Sequence, residues 1–282
     1  MPQPCGARVT GVRRLMELIP AEKSPLVSAG LASTLELVRY KVLAELKAEM
    51  SRAYLGLMWW VAEPVLYMAT FYLVFGVLFQ RGGPGYPAFL ICGLVVWRWI
   101  DSSVRTGATV LLANQALLGQ VYVPKWVFPL SLVLANGVKY VVLLVLLLAF
   151  LGLAGPGPQW SWSLLPVLVV VQLLLVVFLA GFVAAVVPFL PDLTIVVNNL
   201  MTLLLFLSGI FFSVDTIPGA WQRIFWLNPV AVMVDAYRDV LIEGGPPALG
   251  RLAAVALFAV AGIALTGWLY HRYDRVYPKL VV

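Results

Sequence analysis

The sequence predicts an all-α membrane protein with six transmembrane helices, an N-terminal amphipathic interface helix, and short re-entrant outer helices between spans five and six. Composition is the first reason. Of 282 residues, 62% are hydrophobic and only 11% charged, against about 25% charged in an ordinary soluble domain. Layout is the second. The apolar residues come in long blocks joined by short Gly- and Pro-rich stretches, and a hydrocarbon core about 30 Å thick needs about 20 such residues per helix. Charge placement is the third. The net +6 sits at particular joints, not in a basic domain, which points to orientation in a membrane and away from nucleic acid.

Residues 1–30 form a polar cytoplasmic arm. "MPQPCGARVTGVRRLMELIPAEKS" carries early prolines and lacks the apolar core of a signal peptide. Cys5 in the arm and Cys92 in an apolar block have neither disulfide nor metal spacing. Residues 31–55, "LASTLELVRYKVLAELKAEMSRAYL", place Leu35, Val38, Val42, Leu46 and Met50 on one helical stripe with Glu36, Lys41, Glu45, Lys47, Glu49 and Arg52 mostly around it. That pattern reads as an amphipathic helix lying in the inner interface. Periodicity alone leaves open whether it only anchors the chain.

Residues 56–282 form the transmembrane domain, with spans at about 57–79, 86–112, 126–153, 164–187, 194–212 and 252–270. The entry corner is "SRAYLGLMWWVAEP", where Trp59 and Trp60 mark the headgroup level. Pro64 removes a helix hydrogen bond, so a kink or a helix start is expected there. Lys and Arg concentrate in the arm, in the tail (Arg272, Arg275, Lys279) and at Lys125, leaving Arg81, Arg223, Arg238 and Arg251 opposite. The positive-inside rule puts both termini in the cytoplasm. Trp59, Trp60, Trp126 and Trp268 fall at the inner ends of spans, and Trp160, Trp162, Trp221 and Trp226 at or beyond the outer ends.

Span two carries the sharpest internal signal. Trp97, Arg98, Asp101 and Arg105 share an arc of about 100° on a helix, and Asp101 is spaced to meet both arginines. Lys139, midway along span three, is placed to join Asp101. Charges at such depth face a bundle interior or water; they line a polar conduit or lock helix packing, and both readings stay open. Trp99 points away from Trp97 and reads as a packing or lipid-facing residue. In span one Trp60, Glu63, Tyr67, Phe71 and Phe75 share one face, either as packing or as rings on which sugars stack.

Residues 213–248, "SVDTIPGAWQRIFWLNPVAVMVDAYRDVLIEGGPP", are too polar for a lipid-facing span, and Pro218 and Pro229 divide them. Broken helices of this kind are tolerated where they are buried in protein or line a watery cavity. No phosphate loop, His pair or nucleophile with a nearby base is present. The chain is therefore not read as an enzyme, and any energy source is a gradient or a partner.

"LKAEMSRAYLGLMWWVAEPVLYMATFYLVFGVLF", "NQALLGQVYVPKWVFPL", "VVPFLPDL", "SGIFF" and "WLNPVAVMVDAYR", in this order, resemble the membrane subunits of ABC exporters that move O-antigen, capsule, teichoic-acid and related polymers. The resemblance covers roughly residues 35–275. It implies a bacterial inner-membrane permease that carries a lipid-linked polysaccharide or polyol-phosphate polymer out of the cytoplasm, through a channel made by two copies of the chain. Two copies of a separate ATPase would dock below and hold the ATP and Mg, with no cofactor or metal in this chain. Membrane lipid and the lipid-linked glycan complete the implied partners.

By this resemblance the channel-lining candidates are Trp60, Tyr67, Phe71, Phe75, Trp97, Arg98, Asp101, Arg105 and Lys139. Coupling to the ATPase would fall to Glu45, Lys47 and Arg52 on the interface helix, to Asn114, Gln115, Tyr122, Pro124 and Lys125 in the second joint, and to Asp192 in the third. Trp221, Phe225, Trp226, Asp235 and Arg238 would form the outer gate. Two positions depart from the family pattern: Glu49-Met50 stand where many members have Arg-Tyr, and Pro191 precedes Asp192 in place of Arg. The alternative reading is a gradient-driven secondary transporter working through Arg98, Asp101 and Lys139. A scaffold whose internal charges serve packing alone is a further rival.

Overall fold

A computed structural model describes residues 31–52, 58–78, 85–120, 123–274 and 276–277. Among the described residues every regular element is helical. Helix α1 is Leu31–Arg52, and α2 is Met58–Phe71, continued by a π-helical segment at Tyr72–Leu78. Helix α3 is Tyr86–Gly107, followed by the short α4 (Val110–Ala113) and α5 (Gln115–Gln120). Helices α6 (Val127–Ala154) and α7 (Leu165–Val186) are long, whereas α8 (Leu193–Leu207) is short. Two outer pieces, α9 (Gly219–Phe225) and α10 (Pro229–Arg238), precede a π-helical turn at Asp239–Glu243, and α11 is Leu249–Tyr273.

Four stretches are long and apolar enough to cross a membrane: Tyr86–Gly107, Val127–Leu153, Trp160–Phe189 and Leu249–Tyr273. The most buried of them is α3 and the least buried α11, so α3 is the core helix and α11 stands at the rim. Local chemistry sets several starts. Pro87, Pro166 and Pro229 occupy first-turn positions, where a missing N–H costs nothing and the fixed φ favours the helix.

Small residues let the long helices approach. A Cβ at Gly262 of α11 would overlap the Phe178 ring of α7, and one at Gly107 of α3 would lie 3.1 Å from the Ala180 carbonyl oxygen of α7. Polar side chains then close the seams. Gln172 Nε2 donates to the Val96 carbonyl at 3.0 Å, Trp99 Nε1 to the Val133 carbonyl at 3.1 Å, and Tyr270 to the Gly181 carbonyl at 3.0 Å. Trp99 also stacks on Tyr140 with ring centroids 4.7 Å apart. It is therefore a packing residue of the interior and not a lipid-facing one. Tyr140 in turn meets Tyr237 of α10, hydroxyl to hydroxyl at 2.8 Å.

A large apolar cluster joins α3, α6, α7 and α10. A second one gathers Val38 of α1, Leu111, Val127, Phe128, Ala184, Ala185, Tyr270 and Tyr277. That second cluster is why α1 has a fixed place: Val38 is buried in it, and Leu37 and Val42 pack against it.

The structure departs from the sequence reading in four ways. Helix α2 already runs from Met58 and so does not start at Pro64, and a π-helical segment continues it from Tyr72. Helix α3 ends at Gly107, short of the expected 112, and a turn at Ala108–Thr109 sets off α4. Helix α8 ends at Leu207, short of 212, with Gly209 at φ 68° just beyond. At about 1.5 Å per residue such a helix is roughly 22 Å long, less than the hydrocarbon thickness. Finally, α1 does not simply lie flat. Lys41 sits over the Phe128 ring, 4.9 Å from its centroid, in the first turn of α6, and Glu49 meets Lys139 about three turns further along it. Its second half therefore climbs beside α6. The arm at 1–30 lies outside the described residues.

Candidate translocation and coupling site

One wall of the molecule is built by α3 and α8. Leu94, Trp97, Arg98, Asp101, Arg105, Thr202 and Leu205 line a cavity of about 190 Å³, so the arc expected from helical periodicity does face a common space. Arg105 organises it. Its Nε donates to Asp101 at 2.7 Å, Nη1 to the Asn198 carbonyl at 2.9 Å, and Nη2 to Thr202 Oγ1 at 3.1 Å. A planar five-donor guanidinium suits this shared use. One side chain thus neutralises the carboxylate and ties α8 to α3. Asn198 and Thr202 were missed from the sequence, although polar residues spaced i,i+4 in the apolar "LTIVVNNLMTLLLFL" are a signal that could have found them.

Lys139 does not join Asp101. Its Nζ donates to both carboxylate oxygens of Glu49, at 3.0 and 2.7 Å, because α1 rises along α6 to reach it while Asp101 is already engaged by Arg105. The pair borders a second cleft of about 100 Å³ lined by Glu49, Trp59, Arg98, Trp99, Ser102, Asn136, Lys139, Tyr140 and Leu143. Arg98 thus lines both spaces. The side chains of Trp60, Tyr67, Phe71 and Phe75 lie outside the described residues.

The inner joint is wired to α1. Lys41 donates to Asn114 Oδ1 at 3.0 Å and pairs with Glu45 at 3.2 Å, while Asn114 Nδ2 donates to the Val110 carbonyl at 2.7 Å. Burial holds the Glu45 carboxyl above its usual range, and the Lys41 ammonium counters this only in part. Lys125 was expected at an exposed coupling surface. It is instead 4% exposed and bonded to Asp274 at 3.0 Å, since the C-terminal end of α11, where Asp274 stands, comes against the joint. Lys47, Gln115 and Asp192 are exposed and Pro124 is half-buried. The Arg52 side chain and Tyr122 lie outside the described residues.

The outer region hinges on Asn228-Pro229. The Asn228 side chain accepts from the Val230 N–H at 3.0 Å, capping α10, and its Nδ2 donates to the Leu207 carbonyl and to Ser208 Oγ. A cap residue preferred for this backbone donor therefore also holds the end of α8. Arg238 is 5% exposed. It donates from Nη1 to the Gly209 carbonyl at 2.7 Å, from Nη2 to the Ile210 carbonyl at 2.8 Å and the Phe89 carbonyl at 3.2 Å, and stacks 3.3 Å from the Phe89 ring centroid.

The broken backbone after α8 is thereby satisfied from inside, as a non-helical segment in an apolar setting must be. Arg238 is an internal staple, and the surface of this region belongs to other candidates. Trp221 is exposed, Phe225 packs on Phe212, and Trp226 lies under Arg251, which also meets Asp235 at 3.6 Å. Among the described residues no cluster of three or more His, Cys, Asp or Glu is placed to hold a metal.

A model of the family described as ABC-2 type transporter matches residues 38–242. The chain is 33% identical over 228 residues to the O-antigen export system permease protein RfbA of Myxococcus xanthus, covering 78% of this chain and 87% of that protein. It is 28% identical over 202 residues to a protein of the same name from Klebsiella pneumoniae, covering 71% and 78%. It is also 27% identical over 249 residues to the polysialic acid transport protein KpsM of Escherichia coli, covering 83% and 92%. The matched segment holds α2 to α10 entire, with the α3–α8 wall, the inner joint and the Asn228-Pro229 hinge, and on that extent the chain belongs to the ABC-2 type transporter family.

Proposed function

We propose that this chain is the membrane half of an ATP-driven exporter that carries a lipid-linked polysaccharide, or a polyol-phosphate polymer, from the cytoplasm across the bacterial inner membrane. Two copies form the channel and two copies of a separate ATPase dock below. The supporting observation is the polar wall of α3 and α8 in an otherwise apolar bundle: Asp101, Arg105, Asn198 and Thr202 bonded together beside Trp97 and Arg98. Such a surface is costly against lipid and suits a hydrated, hydroxyl-rich polymer. The names of the relatives, O-antigen export permease and polysialic acid transport protein, favour the same cargo class.

In this reading α2 with its π-helical end, and α8 with the irregular residues after it, complete six spans, while α9 and α10 are re-entrant pieces closing the exit. Both termini lie in the cytoplasm, consistent with the basic residues near them. Motion of the ATPase enters through α1 and the "NQALLGQVYVPKW" joint, which Lys41 and Asn114 already connect. Exposed Lys47, Gln115 and Asp192 are the docking contacts. Trp221, Phe225 and Trp226 shape the outer exit, with Arg238 bracing it from within.

Co-expression with a candidate ATPase subunit, followed by surface-glycan detection in a strain lacking its own exporter, tests the proposal. Export that requires both subunits and nucleotide hydrolysis is expected. Stable function of the chain without any ATPase would contradict it and favour the gradient-driven alternative.

A further inference from the structure

The Glu49–Lys139 pair joins two helices that the exporter reading assigns different tasks. Lys139 lies on α6 about 18 Å from Val127, taking 1.5 Å per residue, which is close to the middle of that helix. A lone ammonium at such depth is expensive in lipid. Its partner is a carboxylate from outside the bundle core: Glu49 is on the last turns of α1, and its side chain is 49% exposed. The pair is not sealed. It borders the roughly 100 Å³ cleft with Arg98, Ser102 and Asn136 on the α3–α6 side and Trp59 on the α2 side.

We propose that this cleft is a phosphate-binding site, and that an anionic phosphate or diphosphate headgroup displaces Glu49 from Lys139 and so releases the end of α1. The inference rests on the exporter reading for its physiological meaning, because a lipid-linked polymer carries such a headgroup across the same depth.

Three features support the exchange. The pair borders an open cleft, so an anion can reach the Lys139 ammonium and replace one carboxylate partner with another anionic one, without leaving the charge bare at that depth. A phosphate offers an ammonium and a guanidinium more charge and more acceptor oxygens than one carboxylate does. The space admits a phosphate group, and of its lining residues only Arg98 also lines the α3–α8 cavity. The consequence is a signal. Occupancy at Lys139 frees the last turns of the helix whose other half holds the inner joint through Lys41 and Asn114, and cargo thereby becomes visible to the ATPase side.

The test uses the full chain alone in phosphatidylcholine nanodiscs, so that it does not depend on the ATPase or on export. Spin labels on the exposed Leu43→Cys and Val141→Cys report the α1–α6 distance. Farnesyl diphosphate, inorganic pyrophosphate and farnesol are the probes. A longer or broader distance distribution with farnesyl diphosphate and none with farnesol is expected. A response to pyrophosphate as well would assign the site to soluble phosphate in addition to the lipid headgroup.

Lys139→Gln should weaken farnesyl diphosphate binding tenfold or more, and Glu49→Gln should give the released distance without ligand while binding at least as tightly as wild type. Unchanged affinity in Lys139→Gln, or a distance that ignores both the ligand and Glu49→Gln, would overturn the proposal while leaving the exporter reading intact.

Discussion

Arg238 shows how one residue decides whether an irregular stretch can exist in an apolar setting. Its bonds to the Gly209, Ile210 and Phe89 carbonyls satisfy backbone that no helix ladder serves, and hydrogen bonds to a charged donor contribute about 1.5–3 kcal/mol each in favourable cases. Arg238→Lys keeps the charge but loses the fork. We expect a lower melting temperature and a resting channel that leaks small solutes, read by dye efflux from proteoliposomes, whereas a tight channel in this variant would show that the staple is dispensable.

Lys125 and Asp274 give a second residue-scale expectation. Asp274→Ala removes a carboxylate partner of the buried Lys125 ammonium and should lower the melting temperature, while Lys125→Met combined with Asp274→Ala should recover most of the loss. Equal losses in the single and double variants, by thermal unfolding in detergent, would contradict the pairing.

A third concerns pH. Burial first, then Asp235 and Glu243, raise the Asp239 carboxyl in the outer π-helical turn from the ordinary 3.8 to about 6, against the smaller opposing influence of Arg251. The folded state thus holds this proton more tightly than the unfolded one, so stability falls as pH rises from about 4 to 6 and levels off above. Asp239→Asn should remove that slope and raise stability at pH 7; a slope that persists would assign it to another group.

At the scale of elements, the seam between α7 and α11 depends on Gly262 receiving the Phe178 ring. Overpacking typically costs about 1–3 kcal/mol. Gly262→Val should therefore separate these helices and lower the yield of folded protein, and Phe178→Ala in the same chain should restore part of it. No rescue would mean that the seam is held elsewhere.

Elements also show what a sequence can and cannot reveal. The long apolar blocks of α6, α7 and α11 were legible because length and hydropathy suffice for them. The shared face of Trp97, Arg98, Asp101 and Arg105 was legible because helical periodicity is local. Partners across helices were not. Lys139 was placed with Asp101, but Arg105 holds that carboxylate and α1 climbs to bring Glu49 instead. Lys125 looked like a joint residue free to face a partner, but the C-terminal end of α11 brings Asp274 to it. Pro64 was read as a kink or a helix start, and the helix start fails because α2 already runs from Met58, with the helical register changing at Tyr72. The early end of α8 was equally hidden, because "SGIFF" is as apolar as the helix before it, and only Gly209 hinted at the stop.

Over the whole molecule these elements make one wired path. Asn228 and Arg238 fix the outer break to α8 and α3, Arg105 joins α3 to α8 along the polar wall, Trp99 joins α3 to α6, Glu49 and Lys139 join α6 to α1, and Lys41 with Asn114 joins α1 to the inner joint. A displacement at the cytoplasmic side therefore has polar contacts through which to reach the exit, as an ATP-driven exporter requires.

The measurement that tests this most directly is ATP hydrolysis by the chain reconstituted with its ATPase in lipid, with and without a lipid-linked glycan, in wild type and in Arg105→Gln. The account predicts hydrolysis that needs both subunits and rises with glycan in wild type, and hydrolysis that no longer responds to glycan in the variant. A chain that neither binds an ATPase nor alters its turnover, while moving solute down or against an ion gradient, would contradict it.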